Sequence, residues 1–468
     1  MSFAATLSNS LSGLSMASLR AEVLSFNIAN AGTVGFTRRS VLSEAVVPGG
    51  VRATGIERAS AEVQERQLIS SLGREAADLG RADALRAIFE SFGEVGDADG
   101  LYPAIARFEE ALSDLRLSPE SGAAQQGLLR AAQDVTETFA RIDTQIQDAR
   151  LSADRQIASD VERLNAALSE LDTLNQEARR PKGVELDAVA ERQRALVLEI
   201  GAMLDINVTG SYGEAVTIRT GNGVLLLGEE PKTVDFTPSG SASFSLSFAN
   251  GDFSGLKVDG FDVTPGGVQG IRGGSLAASF AVRDVLATDA ANRIDALARQ
   301  LTERSADADT TSTEGLFVLG AGTSSAAQLI TVNLLGDPAQ GGELYRLREG
   351  MGATAPGPEG GQGVLADLEA FLSEQRVLTT ATGTASSLSF IDTVGAVSSR
   401  FGTDAFRAQN IAASSESATV TLESEINRLT AVDTDRELQD LLLVEQAFAA
   451  NARVIQTADD MLAQLLEI

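Results

Sequence analysis

The stretch LSNSLSGLSMASLRAEVLSFNI, Leu7 to Ile28, sets Leu7, Leu11, Leu14, Ser18, Ala21, Ser25 and Ile28 on one helical face, in alternating steps of four and three. This is the spacing of a coiled-coil seam. The closing stretch repeats it, with Leu441, Phe448, Ile455 and Leu462 one heptad apart and Leu438, Val444, Ala452, Leu465 and Leu466 beside them. A helix in water draws most of its stability from packing its apolar face, so each stripe needs a partner. The two ends of the chain are therefore expected to pair with each other.

Composition narrows the function. A chain of 468 residues exceeds one core and predicts two to four domains. Asp plus Glu number 65 against 37 for Lys plus Arg, a formal charge of -28, which makes polyanions such as nucleic acid poor partners. Cysteine, histidine and tryptophan are absent, and with them disulfides, thiolate nucleophiles, imidazole bases and His- or Cys-based zinc sites. Carboxylates remain, yet no pair stands out as a glycosidase would need, and 5% aromatic content offers few stacking platforms. The reading is a protein that is not an enzyme, with no catalytic residues, no cofactor and no metal site. No apolar run approaches the ~20 residues of a membrane span, and no basic segment followed by an apolar core marks a Sec-type signal peptide.

Between the ends the pattern changes several times. Val41 to Glu57 carries Pro48, Gly49, Gly50 and Gly55 and reads as a loop or hairpin, a candidate hinge. Ala59 to Phe92 is helical, with Val63, Leu68, Ile69, Leu72, Leu79, Leu85, Ile88 and Phe89 near helical spacing. GDADG, Gly96 to Gly100, lacks the twelfth-position glutamate of a calcium loop and reads as a solvated turn. Leu101 to Leu117 predicts a short helix, and Gln125 to Arg179 a very long one. The stripe of the long helix runs from Leu128 through Phe139, Ile146, Ile157 and Leu164 to Leu171, interrupted by steps of four at 149, 153, 157 and 161.

At Ile206 the character shifts: residues 206 to 363 hold 26 of the 44 glycines, so strands and turns replace long helices. Alternation in SFSLSF, Ser243 to Phe248, and around Val216 and Ile218, Leu256 and Val258, and Phe261 and Val263 predicts strands. GVQGIRGG, Gly267 to Gly274, lacks the ending of a phosphate loop and predicts a tight turn. Ser275 to Arg304 predicts a helix with Phe280, Val285, Ile294, Leu297 and Leu301 inward. Helical pattern returns at Val364 to Arg376 and from about Ser387 to Leu429, and Asp433 or Thr434 is placed to cap the last helix. The expected fold is mainly α with an inserted β-rich domain at the tip: 1–57 and 431–468 as the paired ends, 58–205 and 364–430 as a helical rod, and 206–363 as the insertion.

The turn after the first helix reads NIANAGTVGFTRR, Asn27 to Arg39, which resembles the signature of the rod, hook and hook-associated proteins of the bacterial flagellum. EQAFAANARVIQTADDMLAQLLEI, Glu445 to Ile468, resembles the C-terminal signature of that family. Val34 stands where the family usually has Pro, and Phe36 where it has Tyr. SPESGAAQQGLLRAAQDVTETF (Ser118 to Phe139), LNQEA, DAVAERQRALVLEIG and RGGSLAASFAVRD resemble the hook-associated members that join hook to filament. The resemblance implies a structural subunit exported through the flagellum's own channel without a cleaved signal. It also implies an extracellular end-point at the hook-filament junction. The implied partners are copies of itself in a ring, hook protein, the second junction protein and an export chaperone. Leu7, Leu11, Leu14, Ile28, Leu441, Phe448, Ile455 and Leu462 become candidate assembly contacts. Asn27, Asn30, Gly35 and Phe36 become candidate turn residues that set the angle of exit from the helix. Another axial subunit such as hook protein, whose pattern the long helix fits badly, and a secreted binding module or adhesin are the alternatives.

Overall fold

The computed structural model describes residues 3–33, 36–47, 49–93, 99–179, 186–380 and 383–466. Val34, Gly35, Pro48 and most of the GDADG turn lie outside them. The chain opens with α1 (Phe3–Asn30), then an antiparallel hairpin of β1 (Arg39–Ala45) and β2 (Val51–Arg58) with a bulge after Leu42. α2 (Glu62–Phe92), α3 (Leu101–Leu117), α4 (Gly122–Ala178) and α5 (Leu186–Met203) follow. Short strands come next: β3 (Ile206–Thr209), β4 (Thr217–Thr220) and β5 (Leu225–Leu227) form one antiparallel sheet. A second sheet holds β6 (Val234–Asp235), β7 (Lys257–Val258) and β8 (Phe261–Asp262). Helix α6 (Gly274–Ala281) runs through a π-turn, Val282–Leu286, into α7 (Ala287–Ala308).

Beyond α7, β9 (Phe317–Leu319) pairs with β10 (Ile330–Val332) across α8 (Ala326–Leu329). After α9 (Arg346–Glu349) and α10 (Leu365–Ser373), a hairpin of β11 (Arg376–Thr380) and β12 (Gly383–Leu388) leads to α11 (Phe390–Thr430) and α12 (Thr434–Leu466). No described helix is long and apolar enough to cross a membrane.

The rod is built on α4. Ser121 caps it, its Oγ accepting from the Ala124 amide at 3.3 Å. The stripe read from the sequence is buried: Leu128, Phe139 and Ile146 enter one core, Ile157, Leu164 and Leu171 a second. Each such side chain contributes about 1.5–3 kcal/mol on burial. α2 and α11 lie alongside each other, as the outgoing and returning arms. Their seam mixes small, hydroxyl and large apolar side chains: Ala82 and Leu85 pack on Ala405, Ala408 and Ala412, and Leu68 on Ile426. Ser71 and Thr419 share a hydroxyl hydrogen bond at 3.0 Å, and Ser415 donates to Asp78 at 2.6 Å. Leu68, Ile69, Leu85 and Ile88 of the expected α2 stripe are buried, while Val63 and Leu79 are exposed.

Several expectations need correction. Ser243 to Phe248 is a run of turns, not a strand, because the Arg150 guanidinium takes the Ser243 and Leu246 carbonyls that a ladder would need. The strands of 206–263 have no core of their own: Val216, Ile218, Leu226, Val258 and Val263 share one with Ile157 and Leu164 of α4 and Ile200 of α5. The change of composition at Ile206 therefore marks a change of backbone, not a separable packing unit. Val285 lies outward in the π-turn, and Arg283 takes the inward place. The helix expected to reach Arg376 stops at Ser373, and the Val- and Thr-rich chain beyond it pairs as a hairpin.

Gly267 to Gly274 does form tight turns, with Gly267 N donating to Thr264 O and Gly270 N to Gly267 O. Its last residue must be glycine. Gly274 has φ +85°, and a Cβ there would sit 2.2 Å from the Met203 carbonyl carbon.

Candidate functional site: the junction of the terminal helices

The two ends of the chain meet, though not along the heptad stripes. α1 and α12 run antiparallel: Asn27 touches Glu437, and fourteen residues back along α1 Gly13 faces Asn451, fourteen residues further along α12. A Cβ on Gly13 would fall 2.7 Å from Asn451 Nδ2, so the helices pack tightly there. The hairpin lies along α1 as well, with Ser12 Oγ accepting from Val51 N at 3.2 Å near its turn.

Asn27 ties these pieces together. It is fully buried within α1, its Oδ1 accepting from the Arg39 amide at 3.0 Å. Its Nδ2 donates to the Arg39 carbonyl and to Glu437 Oε2, both at 2.9 Å. The side-chain amide thus pairs with the first residue of β1 as a neighbouring strand would, and also holds the first turn of α12. Asn27 itself lies within α1, and its side chain bonds the segment beyond the turn. The sequence gives no sign of this role, because the partner Glu437 lies 410 positions away. Asn30 ends α1, and its amide donates to the Phe26 carbonyl of its own helix. Phe36 packs against Phe26 with ring centroids 5.7 Å apart and planes tilted by 54°, and the Arg39 guanidinium lies over both rings, 4.4 Å from Phe26 and 5.3 Å from Phe36. Gly35 lies outside the described residues.

Asp433 caps α12, its Oδ1 accepting from Asp435 N at 3.1 Å and Arg436 N at 3.2 Å. The acidic Asp435 and Glu437 then sit at the positive end of the helix dipole. Arg38 N donates to the carbonyl of Thr430, the last residue of α11, at 2.8 Å, and Ala59 N to Arg38 O at 2.8 Å. One short segment, residues 37–39, therefore touches α1, α11 and β2, and is linked to the start of α12 through Asn27.

The face that α1 buries is not the expected stripe. Ser10, Met16, Ala17, Val23 and Asn27 are buried, whereas Leu7, Leu14 and Ile28 are half-buried and Leu11 is 63% exposed. On α12, Leu441 and Ile455 are half-buried, and Phe448 (46%) and Leu462 (37%) are exposed. The pairing leaves further apolar side chains open along α12, among them Leu438, Leu442, Leu443, Val454 and Met461. Beside them, Arg20, Val23, Leu24, Val41, Asp440 and Leu443 line a cleft of about 390 Å³. The two heptad stripes lie on the flank of the helix pair and not at its centre.

Residues 86–313 match the family model described as the flagellar hook-associated protein FlgK helical domain. Residues 429–468 match the flagellar basal body rod FlgEFG protein C-terminal model. Both matches are to flagellar axial proteins, and the larger is to hook-associated protein 1. It is 21% identical over 281 residues to flagellar hook-associated protein 1 of Escherichia coli (strain K12), covering 57% of this chain and 51% of that protein. To the protein of the same name from Salmonella typhimurium it is 22% identical over 234 residues, covering 47% and 42%. The chain thus spans about half the length of the relatives it matches. The flagellar hook junction protein FlgK from Burkholderia pseudomallei aligns with a TM-score of 0.44 at 17% identity, over 55% of this chain and 47% of that one. The helical-domain match runs from α2 through α7, across the strands of 206–263, in accord with their shared core.

Proposed function

We propose that this protein is a structural, non-enzymatic subunit of the flagellar hook-filament junction, joining hook to filament through its paired terminal helices. The observation that carries the reading is the row of apolar side chains left open on α1 and α12, Leu11, Phe448 and Leu462 among them, beside helices already paired within the chain. An open apolar stripe on a coiled-coil helix is satisfied by further helices. Copies of the same chain, arranged in a ring, supply them on either side. Hook protein on one side and the second junction protein on the other are the neighbours the role requires. A chaperone that covers the stripes before export, and an extracellular end-point reached without a cleaved signal, complete the reading.

The work is geometric. Asn27, Asp433 and the segment 37–39 hold the terminal pair at a set angle to the rod, so the rod projects in a fixed direction from whatever the helices pack into. Electron microscopy of isolated hook-filament junctions with an antibody to this chain tests the proposal. Label confined to the junction is the expected result, and label along the filament or on the cell surface refutes it.

A further inference from the structure

The two large cores meet where α4 passes from Ile146 to Ile157, and two of the three buried positions between them are charged. Arg150 and Asp154 of α4 are buried there, and Arg283 is fully buried in the π-turn that links α6 to α7. Arg283 Nη1 donates to Asp154 Oδ1 at 2.7 Å, its Nε to Asp284 Oδ1 at 2.8 Å, and its Nη2 to Asp284 Oδ2 at 2.9 Å and Ser254 O at 3.1 Å. Arg150 donates to the carbonyls of Arg283, Ser243 and Leu246 at 3.2, 2.8 and 2.6 Å. Asp154 Oδ2 accepts from Ser239 N at 2.6 Å. The rings of Phe280 and Phe253 lie 4.8 and 4.9 Å from the Arg283 guanidinium. Two cations and two carboxylates thus form a neutral waist. The irregular segment between the paired strands β6 and β7 is tied across it.

Hydrophobic contact is non-directional and tolerates small slips of one helix past another. A forked guanidinium network is fully satisfied in one geometry only. Against an apolar filling of the same volume, a buried ion pair adds little stability and can even reduce it. A charged layer between two complete cores is therefore poorly suited to holding them together and well suited to setting their angle. The π-turn fits this role, since its wider turn brings Arg283 inward and puts Val285 outside.

We propose that the waist of Arg150, Asp154, Arg283 and Asp284 is an orientation lock: it fixes the tilt of one half of the rod against the other while contributing little to its stability. This concerns the isolated chain and stands or falls without any assembly. The chain has no cysteine, so Glu229→Cys and Glu314→Cys, both exposed and on opposite halves, give a clean pair for spin labels. A tilt of about 10° at the waist moves a point 28 residues along α4, about 42 Å away at 1.5 Å per residue, by about 7 Å.

Electron-electron distance measurement should give one narrow distribution in the labelled parent. Combining Arg283→Met with Asp154→Leu should shift or broaden it by several ångström, while the thermal midpoint stays within about 3 °C. Arg283→Lys, which keeps the charge and loses the fork, should broaden it less at the parent's midpoint. An unchanged distribution in either variant overturns the proposal. So does a double variant that fails to fold or melts far lower, since the network would then be a source of stability.

Discussion

Truncating Asn27 to alanine isolates what the junction contributes. The change removes three hydrogen bonds, leaving the Arg39 N–H and C=O without their side-chain partner and the nearly buried Glu437 carboxylate with one donor fewer. A buried polar group left unsatisfied costs about 1–3 kcal/mol, and because Arg39 is half-buried water can meet part of that loss; the expected total is about 2–4 kcal/mol. Neither large core contains a residue before Ile69 or after Phe401, so the cost should fall on the terminal unit alone. Hydrogen exchange of the monomer reads this directly. Amides of α1, the β1–β2 hairpin and the first turns of α12 should exchange roughly 30- to 1,000-fold faster, at tenfold per 1.4 kcal/mol. Those of α4 should not change. Asn30→Ala is the control, because among the described residues its amide bonds its own helix. Faster exchange spread evenly over α4 would show that the ends and the body are one cooperative unit. No change in α1 would show that Asn27 ties nothing together.

The remaining predictions concern the stripes, a turn and a buried acid. Phe448→Ala and Ile455→Asp should reduce filament retention strongly while the monomer's thermal midpoint moves by less than about 3 °C, because both positions keep exposed surface in the single chain; a collapsed midpoint with Ile455→Asp would place that residue in the monomer's own core. Gly274→Ala should destabilise the folded chain by more than about 3 kcal/mol in denaturant titration, since both its φ and its contact with Met203 oppose a Cβ; a loss under 1 kcal/mol would mean that the turn can shift. Burial, partly offset by hydrogen bonds with Ser325 and Gln147, holds the Asp143 carboxyl above the usual carboxylate range. The folded state therefore binds that proton more tightly than the unfolded one, and this group's contribution falls as pH rises from the ordinary carboxylate value through the raised one. Asp143→Asn should accordingly raise the midpoint by about 1–4 °C at pH 7 and leave it unchanged near pH 3; equal effects at both pH values would refute the assignment.

Long periodic segments were legible from the sequence. The boundaries of α3 coincide with those read from the pattern, and α4 departs by three residues at its start and one at its end, because an apolar repeat sustained over many turns admits one period. Asp433 was legible as a cap for the same local reason. Short elements were not. SFSLSF alternates as a strand does, but the deciding groups are a guanidinium from α4 and the carbonyls it takes. The face that α1 buries was hidden too: Leu, Ser and Ala at heptad spacing mark a seam without saying whether the chain's own α12 or another helix fills it. Asn27 could be recognised as part of a signature, yet its work depends on a residue at the far end of the chain.

That separation also governs the order in which the molecule can form. Closing a loop of 410 residues to bring Asn27 to Glu437 costs about 5 kcal/mol by the logarithmic rule. Once the rod has folded, only about 40 flexible residues remain between the two, and the same rule gives about 3 kcal/mol. The contact order of the junction thus collapses as the body condenses, and the ends zip last. A chain delivered with its N-terminus first holds α1 unpaired until α12 emerges. For that interval α1 presents its whole apolar circumference, including the Met16–Val23 face that α12 later covers, to any helix waiting for it.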